Sequence, residues 1–241
     1  MLHDSYQNYY EEISNWDFDA FDIRTETLTD WDLYEILGNL ACEDSAILDL
    51  GTAGGEKLLA NFPDCKEILG CDYSPGMIET ANRNLASSGR KNITFKVMDN
   101  LNMDVPQDHF DIVVARHTPT DPVQIRRCLK DGGYLLIRGV DKYDCWNLKM
   151  IFGGGQGYED PVPQSIIDYE NVIKAGFRDI ELVPIHEREY FKDRETFKSF
   201  LCKVPILDAV DDDLLDKYIA DNTFGGRIRL LRNYYGITAR K

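Results

Sequence analysis

The chain has 241 residues, 43% of them hydrophobic, which is enough for one large α/β core. Its formal net charge of −15 disfavours phosphate backbones and anionic membrane surfaces as partners, since both are held by lysine and arginine. No window approaches the roughly eighteen uninterrupted apolar residues of a membrane span. Cysteines at 42, 65, 71, 128, 145 and 202 form no Cys-x-x-Cys pair, so neither a metal site nor thiol–redox chemistry is expected.

The opening MLHDSYQNYYEEIS has neither the basic nor the apolar region of a secretory signal, and a cytoplasmic protein is expected. Residues 1–45 carry 12 acidic residues against Arg24 alone. Tyr6, Tyr9, Tyr10, Trp16, Phe18, Phe21, Trp31 and Tyr34 make the same stretch too aromatic for a disordered tail. Residues 4–40 therefore read as helical elements that fold over the ligand side, a lid occupying residues 1–40. The pairs Trp16-Asp17 and Trp31-Asp32 lie too close together, and are too few, for the roughly forty-residue repeat of a propeller.

ILDLGTAGGEKLL, residues 47–59, carries the most information. A short apolar run containing Asp49 enters a glycine cluster, and Leu58 and Leu59 open a helical pattern: buried strand, tight turn, helix. Gly51 and Gly55 permit conformations and close approach that a Cβ blocks, and the helix start offers free N–H groups. A second run ends in Asp72, about twenty residues after the turn, where an acid accepts from a ribose diol. Ser74-Pro75 then reads as N-cap and first helical residue, with Met77, Ile78, Ala81 and Leu85 as the apolar face.

A third run, residues 93–98, ends in Asp99-Asn100; a fourth, residues 110–115, in Arg116-His117; Gly132-Gly133 precede a fifth at residues 134–140. Residues 145–152 read as a helix, followed by four glycines in the five positions 153–157, a flexible loop near the ligand side. Residues 164–175 read as a helix stopped by Gly176, and 180–185 as a sixth strand. Helix-like stretches at 193–201 and 211–220 make up an insertion, residues 190–225, near the substrate mouth. LLRNYYGITARK supplies a last, antiparallel strand.

Successive strand-end acids beside a glycine turn resemble the class I S-adenosylmethionine-dependent methyltransferases, over roughly residues 45–185. Asp49, Gly51 and Gly55 match the family's glycine turn, with Ala53 in place of its middle glycine. The Trp-Asp pairs, DLGTAGGE, ARHTPTDPVQI and GITARK further resemble a little-characterised bacterial group of the small-molecule type. The resemblance implies a single domain, residues 1–241, with a doubly wound, mainly parallel seven-stranded sheet whose last strand is antiparallel. It implies S-adenosylmethionine as cofactor, held by Asp49, Gly51, Thr52, Gly54, Gly55, Asp72, Tyr73, Met77, Asp99, Asn100 and Arg116. The ribose falls to Asp72 and the adenine side to Asp99.

Where amide- and base-methylating relatives carry Asn/Asp-Pro-Pro-aromatic, this chain has Arg116-His117-Thr118-Pro119, which counts against methylation of a nucleobase amino group. His117 is the candidate base. Successive strand side chains face opposite ways, so Arg116 is expected to hold lid acids or the cofactor carboxylate. His109 and His186 read as structural. The expectation is methyl transfer to a small molecule. Rivals are an RNA methyltransferase, a non-catalytic S-adenosylmethionine-binding protein and an NAD-dependent oxidoreductase, the last lacking Gly-x-Gly-x-x-Gly. The acceptor and the oligomeric state are not legible.

Overall fold

The computed structural model of the chain describes residues 21–241. Its centre is a run of parallel strands: β2 (Ala46–Leu50), β3 (Glu67–Asp72), β4 (Ile93–Val97), β5 (Phe110–Arg116) and β6 (Leu129–Val140). All five residues of β2 are buried, as expected of a central parallel strand covered on both faces. Two long antiparallel strands, β7 (Arg178–Phe191) and β9 (Arg227–Arg240), close one side, with β1 (Arg24–Thr27) at the edge. The order is β1-β7-β9-β6-β5-β2-β3-β4, with the two-residue β8 (Thr223–Phe224) paired to β9.

Helices α1 (Leu33–Leu40), α2 (Glu56–Asn61) and α3 (Pro75–Ser88) cover one face, over a core containing Leu37, Ile47, Ile68, Ile112 and Leu136. The other face packs Leu48, Leu50, Val113, Leu135 and Ile237 against α4 (Pro122–Cys128) and α6 (Gln164–Lys174). Cys71 and Cys128 are fully buried in this second core, as small apolar residues. Helix α5 (Trp146–Phe152) and the pair α7 (Arg194–Lys203) and α8 (Asp212–Asn222) form a third core around Phe191, Phe197, Tyr218 and Leu230.

Much of the acidic composition is placed at helix starts. Asp32, Asp121, Asp193 and Asp211 each accept backbone N–H bonds as N-caps of α1, α4, α7 and α8, where a negative charge also complements the helix dipole. Ser74 caps α3 with Pro75 in the first turn, and Gly89 ends it in the left-handed region.

Three expectations change. The sheet has nine strands among the described residues, not seven. Residues 24–27 are not helical: they form β1, which adds antiparallel to residues 187–190 of β7. The sixth strand of the sequence reading does not stop at 185 but continues as β7 to Phe191, because β9 pairs with it along its whole length. Within the stretch read as a lid, Trp31 is buried and lies over Gly236, where a β carbon would come within 2.5 Å of its indole ring. Tyr6, Tyr9, Tyr10, Trp16 and Phe18 fall outside the described residues. No helix among those described is long and apolar enough to cross a membrane.

Candidate functional site

The strand order turns back between β2 and β5, and ligands of open α/β sheets bind in the crevice outside the carboxyl ends at that point. β2 runs into the glycine turn there. Gly51 and Gly55 have φ of 74° and 77°, and Ala53 also adopts the left-handed region at 50°. Gly51 N and Thr52 N donate to the Cys71 carbonyl at 2.8 and 2.9 Å. Ala53 N donates to Asp72 Oδ2 at 2.9 Å, while Asp72 Oδ1 accepts from Ser74 N at 2.9 Å. Asp72 thus ties its own loop to the glycine turn, and each carboxylate oxygen keeps a further lone pair for a ligand hydroxyl. Burial raises its pKa, against the backbone bonds from Ser74 and Ala53 that lower it.

Asp49, Asp72 and Arg116 alternate onto one face at these strand ends. Asp49 is buried and makes no ion pair among the described residues. Burial pushes its pKa up to about 7; Thr52 and the Arg116 guanidinium oppose the rise, and Asp72 adds to it. Arg116 likewise makes no ion pair among the described residues. Tyr34 of α1 completes the group: burial raises its pKa, and it feels the charges of Arg116 and Asp49.

Beside them, Asn100 Nδ2 donates to Thr118 Oγ1 at 2.8 Å, and Thr118 overhangs Gly51. One buried polar atom here, Asn100 Oδ1, has no hydrogen-bond partner among the described residues. Such an orphan beside a turn that only small residues can form fits a polar ligand. Of the other sequence candidates, Gly54 is buried in the turn, Tyr73 is exposed, and Asp99 is exposed with Oδ1 accepting from Leu101 N. Met77 is 2% exposed, inside α3.

His117 follows β5 with φ 52° and donates its backbone N–H to the Arg138 carbonyl at 2.8 Å. Its ring stacks on Tyr234 at 5.1 Å, and the Arg138 and Arg232 guanidiniums lie 4.7 and 4.9 Å from the same tyrosine ring. His117 itself is exposed at this rim of the sheet. Desolvation, then the charges of Arg116, Arg138 and Arg232, hold its pKa well below 6.5, so it is neutral near pH 7. Arg138 pairs with Glu187, and Arg232 with Asp144 and Glu189. His109 pairs with Glu67, on the side of the sheet away from these strand ends.

Tyr34, one of the lid aromatics of the sequence reading, belongs to this region, as do Thr118 and Tyr234, which the sequence did not mark as site residues. Thr118 was adjacent to the strand-end signal; Tyr234 reaches His117 only through the β6–β9 register, which leaves no local trace.

Comparison with known proteins bears directly on this crevice. Residues 42–174 match the methyltransferase domain family. The uncharacterised methyltransferase YcgJ of Bacillus subtilis is 26% identical over 151 residues, covering 59% of this chain and 50% of its own length. The chain spans about half, or less, of the length of the curated relatives it first matches. A methyltransferase candidate from Bacillus halodurans C-125 has the same fold, with a TM-score of 0.59 at 18% identity, over 87% of this chain and 98% of its own. The phosphoethanolamine N-methyltransferase 2 of Haemonchus contortus, in complex with phosphomonomethylethanolamine and S-adenosylhomocysteine, aligns with a TM-score of 0.50 at 20% identity, over 87% of this chain and 52% of its own. With a glycine turn, strand-end acids and the matching stretch of sequence all in one crevice, the chain belongs to the methyltransferase domain family.

Proposed function

We propose that this protein is an S-adenosylmethionine-dependent methyltransferase acting on a small-molecule acceptor. The observation that carries the reading is Asp49: a buried carboxylate without an ion-pair partner among the described residues, next to a left-handed glycine turn and one strand from Asp72. A cationic ligand group resolves the cost of that burial, and the cofactor carries both an ammonium and a sulfonium.

In this reading Asp72 accepts from the ribose diol, Asp99 and Asn100 line the adenine side, and Gly51, Thr52, Gly54 and Gly55 receive the amino-acid part. Tyr73 and Met77 flank it, Tyr73 from the surface and Met77 from within α3. Arg116, in no ion pair among the described residues, holds the cofactor carboxylate. When bound, the cofactor supplies an activated methyl group; the protein supplies position and exclusion of water. His117, neutral and stacked on Tyr234, orients an acceptor by hydrogen bonding. Of the lid read for residues 1–40, Tyr34 reaches the crevice, and residues 190–225 border the acceptor side. The acidic surface supports a small molecule over RNA.

The test is calorimetry with S-adenosylhomocysteine and NAD. S-adenosylhomocysteine should bind and NAD should not; the reverse pattern sinks the proposal.

A further inference from the structure

A cavity of about 310 Å³ opens past the end of β6, at the strand ends that carry the site. Its walls are Leu182, Pro184, Tyr143, Tyr234 and Tyr235, with Ser165, Asp141, Asn233 and His186 supplying polar groups. The volume is at the small end of the range for small-molecule sites, which are apolar with a few placed polar groups. Tyr234 is both a wall of this cavity and the ring on which His117 stacks. The cavity therefore adjoins the end of β5 without sharing any residue of the Asp49–Asp72 crevice.

The protonation of His186 is determined by a chain of fixed partners. Asn233 Nδ2 donates to the Tyr143 carbonyl at 2.9 Å, which settles the amide orientation. Asn233 N donates to Asp144 Oδ1 at 2.9 Å, which anchors its backbone. Asn233 Oδ1 then faces His186 Nδ1 at 2.7 Å and can only accept. Nδ1 therefore carries a hydrogen, and in the neutral ring Nε2 keeps its lone pair. A second fixed point is the His186 backbone N–H, which donates to Thr29 Oγ1 at 3.1 Å.

We propose that this cavity is the acceptor pocket, that it takes a small hydroxylated aromatic molecule, and that His186 Nε2 receives the hydroxyl proton. The inference rests on the methyltransferase reading. Three tyrosines, a leucine and a proline offer flat apolar walls to a ring. An unprotonated Nε2 is an acceptor that selects a hydroxyl donor. His117 is the poorer proton acceptor, because an imidazolium there would lie among Arg116, Arg138 and Arg232. At His186 the charged group in the cavity wall is Asp141, and no arginine lines the cavity. In balance, the O–H bond breaks and its proton forms Nε2–H. The oxygen pair bonds the methyl carbon, and the carbon–sulfur pair leaves on sulfur as a neutral thioether. Asn233 is a positioning residue that sets the tautomer.

The test uses the full chain with 15N-labelled histidine, and phenol as probe, without cofactor. The nitrogen shifts of His186 should report the Nδ1–H tautomer, and phenol in the millimolar range should shift them saturably while leaving His109 unmoved. Asn233→Ala should redistribute the tautomer toward Nε2–H and weaken phenol binding several-fold. Ser165→Phe, which fills the cavity, and His186→Gln, at an exposed position, should each abolish saturable binding, read for His186→Gln by calorimetry. An Nε2–H tautomer in the unliganded protein, no saturable shift, or undiminished binding in Ser165→Phe overturns the proposal. S-adenosylhomocysteine binding is measured on the same samples. If it persists while phenol fails, the pocket alone is wrong; if it is absent from wild type, the methyltransferase reading fails first.

Discussion

A β carbon on Gly51 would come within 2.6 Å of Thr118 Cβ, so the residue after His117 acts as a roof over the glycine turn. Asn100, donating to Thr118 Oγ1 from the end of β4, holds that roof in place across two intervening strands. Gly51→Ala should therefore cost more than the ~1–2 kcal/mol of a left-handed residue with a β carbon. Adding Thr118→Ala should recover part of the excess. Denaturant unfolding of the two single variants and the double variant measures the coupling; strictly additive effects would show that the contact carries no energy.

Asp49 should make stability fall as pH rises. Its folded pKa of about 7 lies above the ordinary carboxylate value of 3.8. Between those values the unfolded chain has released the proton and the native chain keeps it. The native state is thus progressively penalised from about pH 4 to about pH 7, with a flat response above. The full span is on the order of 4 kcal/mol at about 1.4 kcal/mol per unit. Urea unfolding of wild type and Asp49→Asn across pH 4.5–8 isolates it, and equal slopes in the two proteins would contradict the assignment. In wild type, S-adenosylmethionine should bind more tightly as pH rises through the same window, because the cation favours the ionised carboxylate.

Asp72→Asn tests the ribose contact while keeping a side chain that can accept one of the two backbone bonds. Calorimetry with S-adenosylhomocysteine should show binding weakened by ~1.5–3 kcal/mol, the usual worth of a hydrogen bond to a charged group. An unchanged affinity in a folded variant removes Asp72 from the cofactor site.

Arg232 is held by Asp144 through two bonds of 2.9 and 3.0 Å and by Glu189 at 3.0 Å, all of them largely buried. Removing one partner of a buried pair strands the other, and Asp144→Ala should cost about 3–5 kcal/mol. It should also free Asn233, whose backbone N–H loses its acceptor. Thermal unfolding reads the first effect. A variant as stable as wild type would mean that Glu189 alone satisfies the guanidinium.

The sequence made the cofactor half of the molecule legible for a physical reason. A buried parallel strand is a continuous apolar run, and the turn after β2 needs glycine where φ is positive, so both leave local marks. Ala53 shows the limit of motif matching: it occupies the left-handed region that the family fills with glycine. The acceptor half was harder to read. β1 is RTET, largely exposed, and is a strand only through edge pairing with β7. The residues HEREYF look like a polar loop, yet Glu187 and Glu189 are neutralised by arginines from β6 and β9. His186 reads as structural from sequence because it closes the sixth strand; its partner Asn233, 47 positions away, leaves no local mark.

Beyond Tyr234, β9 leaves β6 behind and pairs only with β7 and the short β8, so the two long strands rise from the sheet as a ribbon. The third core, with α5, α7 and α8, is mounted on that ribbon and contains none of the glycine-turn residues. The molecule is thereby modular in a way its single sheet conceals. Residues in the mounted unit can therefore vary while the turn, Asp49 and Asp72 stay fixed.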